Sequence, residues 1–185
     1  MPVATNKILG KIPLDPESLT RQILDDQGTG KRYLDRAFMD RLKDTMKVSD
    51  AHIDDYDAIH LTGGHGVMFD FPQSKDLETL IARFYETGRV VSTVCHGAAG
   101  LLDVTLSNGD PLVKGKRVTG FSWPEEELAN RAEAVPCNVQ EELKKLGADY
   151  STVAQPFAPY VVEDGRLITG QNPFSARAVA EAVVR

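Results

Sequence analysis

Cys95 is followed directly by His96 and Gly97, and a glycine-rich turn, Gly63-Gly64-His65-Gly66, stands upstream of it. A thiol beside an imidazole is the material of nucleophilic catalysis: the imidazole takes the thiol proton while the sulfur adds to a carbonyl carbon. Glycines let backbone N–H groups come close to a reacting oxygen, so the amides of Gly63 and Gly64 are expected to form an oxyanion hole with that of His96. The histidines are His52, His60, His65 and His96. His52 falls in a polar segment and His60 inside a strand, where surface or core roles suit them. The base for Cys95 is therefore His96 or His65, with His65 also assigned to the substrate pocket. No histidine follows position 96, which excludes a glutaminase arrangement with the Cys first and a His-x-Glu late. A carboxylate to orient the base could come from Glu125, Glu126 or Glu127. Three consecutive acids at a helix start also complement the helix dipole, and their spacing does not choose among them.

A cysteine at the end of a buried strand is ordinarily a small hydrophobic residue. The elements around Cys95 separate it from that case. Residues 89–94 are nearly continuously apolar or β-branched, as in a strand covered on both faces. Cys95 follows them and precedes a short helix over 98–102, the layout of a nucleophile elbow, with Thr93 and Gly97 two residues to either side. A helix N-terminus beneath the sulfur predicts a lowered pKa, a thiolate, and oxidation at Cys95 before Cys137. Cys137 precedes a helix cap and reads as structural.

Residues 57–62 read as a strand ending at the glycine turn, and Ser74 as the N-cap of a helix with Leu77, Leu80, Ile81 and Phe84 on one face. With 89–94 these form a right-handed βαβ unit. A short strand over 3–5, a helix over 33–45 with Leu34, Phe38 and Leu42 on one face, and a strand over 117–121 are expected as well. Asn138 with Glu141 resembles a capping box, Asp164-Gly165 is a hairpin turn, and 175–184 is a C-terminal helix. Alternating elements of this kind make a layered α/β domain with a mainly parallel sheet. Ligands bind such sheets beyond the carboxyl ends of the strands, where both Gly63–66 and Cys95 fall.

The 185 residues suit one domain, 1–185, and 42% hydrophobic content supports a core without metal or disulfide staples. A net charge of −6 argues against a nucleic-acid partner, and two cysteines exclude a secreted disulfide framework. No apolar run reaches membrane-spanning length, so no membrane partner is expected and the default compartment is the cytoplasm. Gly28-Thr29-Gly30-Lys31 lacks the upstream Gly and the Ser/Thr of a phosphate loop, and Gly63–66 lacks the third Gly of a dinucleotide fingerprint. A metal site from His65, Cys95, His96 and a Glu has no local ligand spacing behind it.

Gly63-Gly64-His65-Gly66, Val94-Cys95-His96-Gly97, Lys116-Arg117-Val118-Thr119-Gly120-Phe121-Ser122 and Thr169-Gly170-Gln171-Asn172-Pro173 resemble the ThiJ/PfpI superfamily. They are most similar to its heat-inducible chaperone branch, of the glutathione-independent glyoxalase III (D-lactate dehydratase) type. The resemblance implies a flavodoxin-like three-layer sandwich, a homodimer and no cofactor. It implies Cys95 as the nucleophile on methylglyoxal or a related 2-oxoaldehyde, His96 in proton transfer, Gly64 at the oxyanion and Glu126 as the acidic partner. In that family a first strand–helix unit carries a further Glu. Residues 1–5 align with the family's second strand, so that unit is expected to be absent here, and Glu17 does not replace its Glu. A non-catalytic holdase on the same fold and a cysteine-dependent amidase or peptidase are the alternative readings.

Overall fold

The computed structural model describes residues 3–4, 19–43 and 45–185. The chain divides into two compact units, Met1–Ala51 and His52–Arg185.

In the first unit β1 (Val3–Ala4) pairs in parallel with β2 (Met46–Lys47); Thr5, the end of the expected strand, lies outside the described residues. Between them run α1 (Arg21–Leu24), α2 (Gln27–Leu34) and α3 (Arg36–Asp40). The single helix expected over 33–45 is thus corrected to the end of α2, all of α3 and a turn. Asp35 leaves the helical region at ψ 102° and its carboxylate accepts the Phe38 N–H at 3.1 Å, so it caps α3 instead of continuing α2. The apolar face read from Leu34 is lost with it, and Leu34 is exposed. A 3₁₀ turn, Val48–Asp50, follows β2.

The second unit opens with a 3₁₀ turn, Ile53–Asp55, and β3 (Ala58–Leu61), then the glycine turn and α4 (Val67–Asp70). The helix α5 (Lys75–Glu86) comes next, then β4 (Val90–Val94) and a 3₁₀ helix, Cys95–Leu101. After these come β5 (Arg117–Val118), α6 (Trp123–Leu128), α7 (Val139–Lys145) and β6 (Asp149–Tyr150). The hairpin β7 (Val161–Asp164) and β8 (Leu167–Gly170), a 3₁₀ turn Pro173–Ser175 and α8 (Ala176–Val183) complete it. The main sheet runs β3-β4-β8-β7, parallel except for β7, and β5 pairs in parallel with β6.

Helices cover both faces of the mainly parallel sheet. Leu77, Leu80, Ile81 and Phe84 are the buried side of α5, which packs on β3 and β4. Val179 and Ala182 of α8 pack with Ile168, Val90 and Val161. Period-two alternation along β4 sends neighbouring side chains to opposite layers, so nearly every residue of the strand is buried. Asp164 and Leu167 are paired across the hairpin, and Gly165 supplies the positive φ of +60° that its first turn position needs.

Of three local expectations, two need adjustment. Ser74 stands at the N-cap of α5, but its side chain makes no capping bond; its carbonyl accepts the Glu78 N–H at 2.9 Å. Asn138 accepts the Glu141 N–H at 3.2 Å to cap α7. The strand expected over 117–121 stops at Val118, because the Thr119 N–H turns to the Thr169 hydroxyl at 2.9 Å and leaves the ladder. That departure carries Phe121, Ser122 and α6 over the carboxyl ends of the strands. Among the described residues no helix is long and apolar enough to cross a membrane.

Candidate active site

The elbow is tighter than the sequence suggests. The 3₁₀ helix begins at Cys95 itself, which sits at φ +59°, a left-handed conformation that a non-glycine side chain adopts only at a cost of about 1 kcal/mol or more. Glycines make room for it. A β-carbon on Gly63 would lie 2.7 Å from the Cys95 β-carbon, and one on Gly97 would lie 2.3 Å from the Leu61 carbonyl oxygen. Gly97→Ala is therefore expected to destabilise the protein by about 3 kcal/mol, because a backbone carbonyl of a packed strand cannot give way. Thermal melting of the variant checks this, and a melting temperature within a degree of wild type would contradict it.

From the elbow a chain of contacts runs through two further elements. The Cys95 sulfur lies 3.2 Å from His96 Nδ1, and His96 Nε2 lies 2.7 Å from Glu126 Oε2. The other carboxylate oxygen, Oε1, is 2.7 Å from His65 Nε2. A carboxylate only accepts, so both Nε2 atoms carry the protons, and Nδ1 of His96 presents a lone pair to the thiol. The imidazoles lie with ring centroids 4.2 Å apart, and the His96 ring stacks at 4.4 Å on Phe121. His96 and Glu126 are buried, while His65 keeps 31% of its side chain in solvent.

The three neighbouring acids are told apart by where α6 points them. Glu126 faces the histidines. Glu125, fully buried, closes a reciprocal capping box with Ser122 and also accepts from the Phe157 N–H at 2.7 Å and from Asn172 Nδ2 at 2.9 Å. Glu127 is exposed. His60, also exposed, holds the Ser92 hydroxyl at 2.9 Å, and His52 is exposed just ahead of the 3₁₀ turn Ile53–Asp55. The contributions of Glu125, Asn172 and Phe157 to this region were not legible in the sequence beyond the Asn172-Pro173 motif.

Burial of Cys95 pushes its thiol up to about 12, and the nearby Glu125 and Glu126 charges push the same way. Backbone N–H groups of His96 and Gly64 hydrogen-bond the sulfur and oppose this without overcoming it. The expected thiolate is thus corrected to a thiol, and oxidation ahead of Cys137 loses its basis, because the elbow helix is one short 3₁₀ segment and the sulfur is desolvated. Burial also raises Glu126, but hydrogen bonds from His65 and His96, with the electrostatic attraction of the two rings, bring it down to about 2. The arrangement suits proton transfer from S–H to Nδ1 at the moment of attack, with an ionised carboxylate ready for the imidazolium. Alkylation of Cys95 by iodoacetamide is accordingly expected to accelerate about tenfold per pH unit from 7 to 9 without levelling. A plateau in that range, followed by peptide mass spectrometry, would contradict the raised thiol.

Among the described residues, His65, His96 and Glu126 place donor atoms within 4.8 Å of one another and form a possible metal-holding group. Each imidazole already has its own carboxylate oxygen, so the cluster is satisfied by hydrogen bonds alone.

The DJ-1/PfpI family model matches residues 39–185. The chain is 35% identical over 179 residues to the glutathione-independent glyoxalase HSP31 of Saccharomyces cerevisiae, covering 92% of this chain and 75% of that protein. It is 37% identical over 148 residues to glyoxalase 3 of Candida albicans, covering 77% and 63% respectively. The crystal structure of glyoxalase III from Candida albicans superposes with a TM-score of 0.87 at 33% identity, covering 95% of this chain and 76% of that one.

Proposed function

The chain belongs to the DJ-1/PfpI family, and within it we propose a glutathione-independent glyoxalase that converts methylglyoxal and related 2-oxoaldehydes to 2-hydroxy acids, D-lactate in the case of methylglyoxal. The observation that carries this reading is the unbroken contact from the Cys95 sulfur through His96 to Glu126, in a chain whose relatives bear glyoxalase names.

Cys95 Sγ adds to the aldehyde carbon as its proton passes to His96 Nδ1. The amides of Gly64 and His96 hold the oxygen while it is charged, and Glu126 stabilises the imidazolium. Return of that proton to the oxygen completes a hemithioacetal. The hydrogen on the sulfur-bearing carbon then leaves as a proton and one is delivered to the neighbouring carbon, while the hydroxyl proton moves from the first oxygen to the second. His96 is the base in contact with the sulfur, and His65 is the second imidazole beside it. The product is a thioester, which water opens to the hydroxy acid, returning the thiol. One carbon is oxidised and its neighbour reduced, so electrons balance within the substrate and no nicotinamide or flavin is required.

The test is formation of D-lactate from methylglyoxal by the folded full chain without glutathione, read with a D-specific lactate dehydrogenase. D-lactate supports the reading; none from a folded sample overturns it. We take the enzyme to work in the cytoplasm, where its two free cysteines stay reduced, and as a homodimer, which light scattering would check. Exposed Phe69, Leu128 and Phe174 favour one second reading, a stress holdase. Undiminished suppression of client aggregation by Cys95→Ala, from a protein forming no D-lactate, would install it instead.

A further inference from the structure

Phe157 has a φ of +63°, an uncommon conformation for so bulky a residue. Glu125 holds it there. One oxygen of that buried carboxylate accepts the Phe157 N–H at 2.7 Å and Asn172 Nδ2 at 2.9 Å, and the other accepts the Ser122 N–H at 3.0 Å and its hydroxyl at 2.8 Å. Asn172 also donates to the next carbonyl in the Phe157 loop, that of Ala158, at 2.7 Å. A single carboxylate thereby ties together the loops that follow β5, β6 and β8, holding Phe157 of the middle one directly while Asn172 holds Ala158.

Backbone strain maintained by a buried charge points to something that the strained residue does. The Phe157 side chain packs against the cluster formed by Val94, Cys95 and Phe121, with its ring centroid 6.1 Å from that of Phe121. It is only partly buried, so it covers the cysteine cluster while its outer side meets solvent. A substrate joined to the sulfur must place its substituent among these groups.

We propose that Phe157, held by Glu125, is a specificity-determining residue of the cysteine site: its ring closes the space beside Sγ to substituents much larger than methyl. The identity of the substrate rests on the glyoxalase reading; the closure itself is a property of the surroundings of Cys95.

The experiment therefore has two arms, each comparing the full chain with Phe157→Ala, Phe157→Gly and Phe157→Leu. Glycine accepts φ +63° freely, so that variant removes the ring while relieving strain. In the first arm Cys95 is alkylated with iodoacetamide or with its N-benzyl derivative, and peptide mass spectrometry follows both cysteines, Cys137 serving as the reference for intrinsic reagent reactivity. The ratio of benzyl to unsubstituted rate at Cys95 is expected to rise about tenfold in the Ala and Gly variants and to stay near wild type in Leu. In the second arm, kcat/KM for phenylglyoxal relative to methylglyoxal is expected to rise about tenfold in the same two variants. A loop that was merely loosened would admit both reagents alike, so an unchanged alkylation ratio overturns the proposal. If wild type turns over neither aldehyde, the glyoxalase reading fails, and the alkylation ratio still decides the role of Phe157.

Discussion

Cys95→Ser is expected to lower glutathione-independent D-lactate formation by about a thousandfold or more, leaving the fold intact. Serine matches the cysteine in shape and meets the same φ of +59°, so the elbow survives. Its chemistry does not. The Cys95 thiol is already held near 12 by burial, and reaction depends on passing its proton across 3.2 Å to His96 Nδ1 as a polarisable sulfur attacks. An alkoxide is far more basic, so the same transfer is much more costly. Cys137→Ser should leave the rate within about twofold of wild type, since nothing in the relay touches Cys137. D-lactate formation by both variants, with circular dichroism to confirm folding, checks the pair. More than a tenth of wild-type activity in Cys95→Ser would remove the sulfur from the mechanism.

The second large effect concerns three adjacent acids that share a charge and little else. Glu126→Gln is expected to fold and to lose about a thousandfold in kcat/KM. Glutamine has one acceptor where Glu126 offers two, and His65 and His96 each donate to a separate oxygen at 2.7 Å. If the amide group faces His96, that ring must accept at Nε2 and carry its proton on Nδ1, where it can no longer receive one from Cys95. If the carbonyl faces His96, the imidazolium still loses its counter-charge. Glu125→Ala should instead cost stability, about 4 kcal/mol, because it leaves the buried donors of Ser122, Phe157 and Asn172 unpaired. Glu127→Gln, on the exposed side of α6, should alter stability by less than about 0.5 kcal/mol and activity not at all. Steady-state kinetics and chemical denaturation of the three variants read these outcomes independently.

Glu126 also carries a pH signature. Its folded value, about 2, is below its usual value of 4.5, so its contribution to stability is fully present above pH 4.5 and is lost as pH falls from 4.5 toward 2. Glu126→Gln lacks that contribution, and the stability difference between it and wild type should narrow over this interval.

Much of the second unit could be read from short stretches of sequence. The strand before Cys95, the hairpin at Asp164-Gly165 and the helix cap at Asn138 each rest on a continuous apolar run, turn chemistry or capping chemistry within a few residues, and each appears where that chemistry puts it. The same local reasoning failed at Asp35, where an i, i+4 apolar pattern ran across a residue whose side chain was better used as a cap. It failed again at Thr119, where an acceptor 50 residues away drew the backbone off its strand.

By itself, then, the sequence determined the layered α/β architecture, the elbow that sets a cysteine at a strand end, and the pairing of that cysteine with a histidine and a glycine turn. All are properties of neighbouring residues. Spacing left open which of the three glutamates meets His96, and only the family resemblance put it at Glu126; the contact itself, its sharing with His65, and the packing of Phe157 against the cysteine cluster belong to the tertiary structure. These contacts span 30 residues for His96 and 61 for His65, beyond the reach of spacing or periodicity. The charge state of Cys95 belongs with them. Local sequence placed a helix start beneath the sulfur, but desolvation by surrounding elements outweighs one short 3₁₀ helix and keeps the proton on the thiol until His96 takes it.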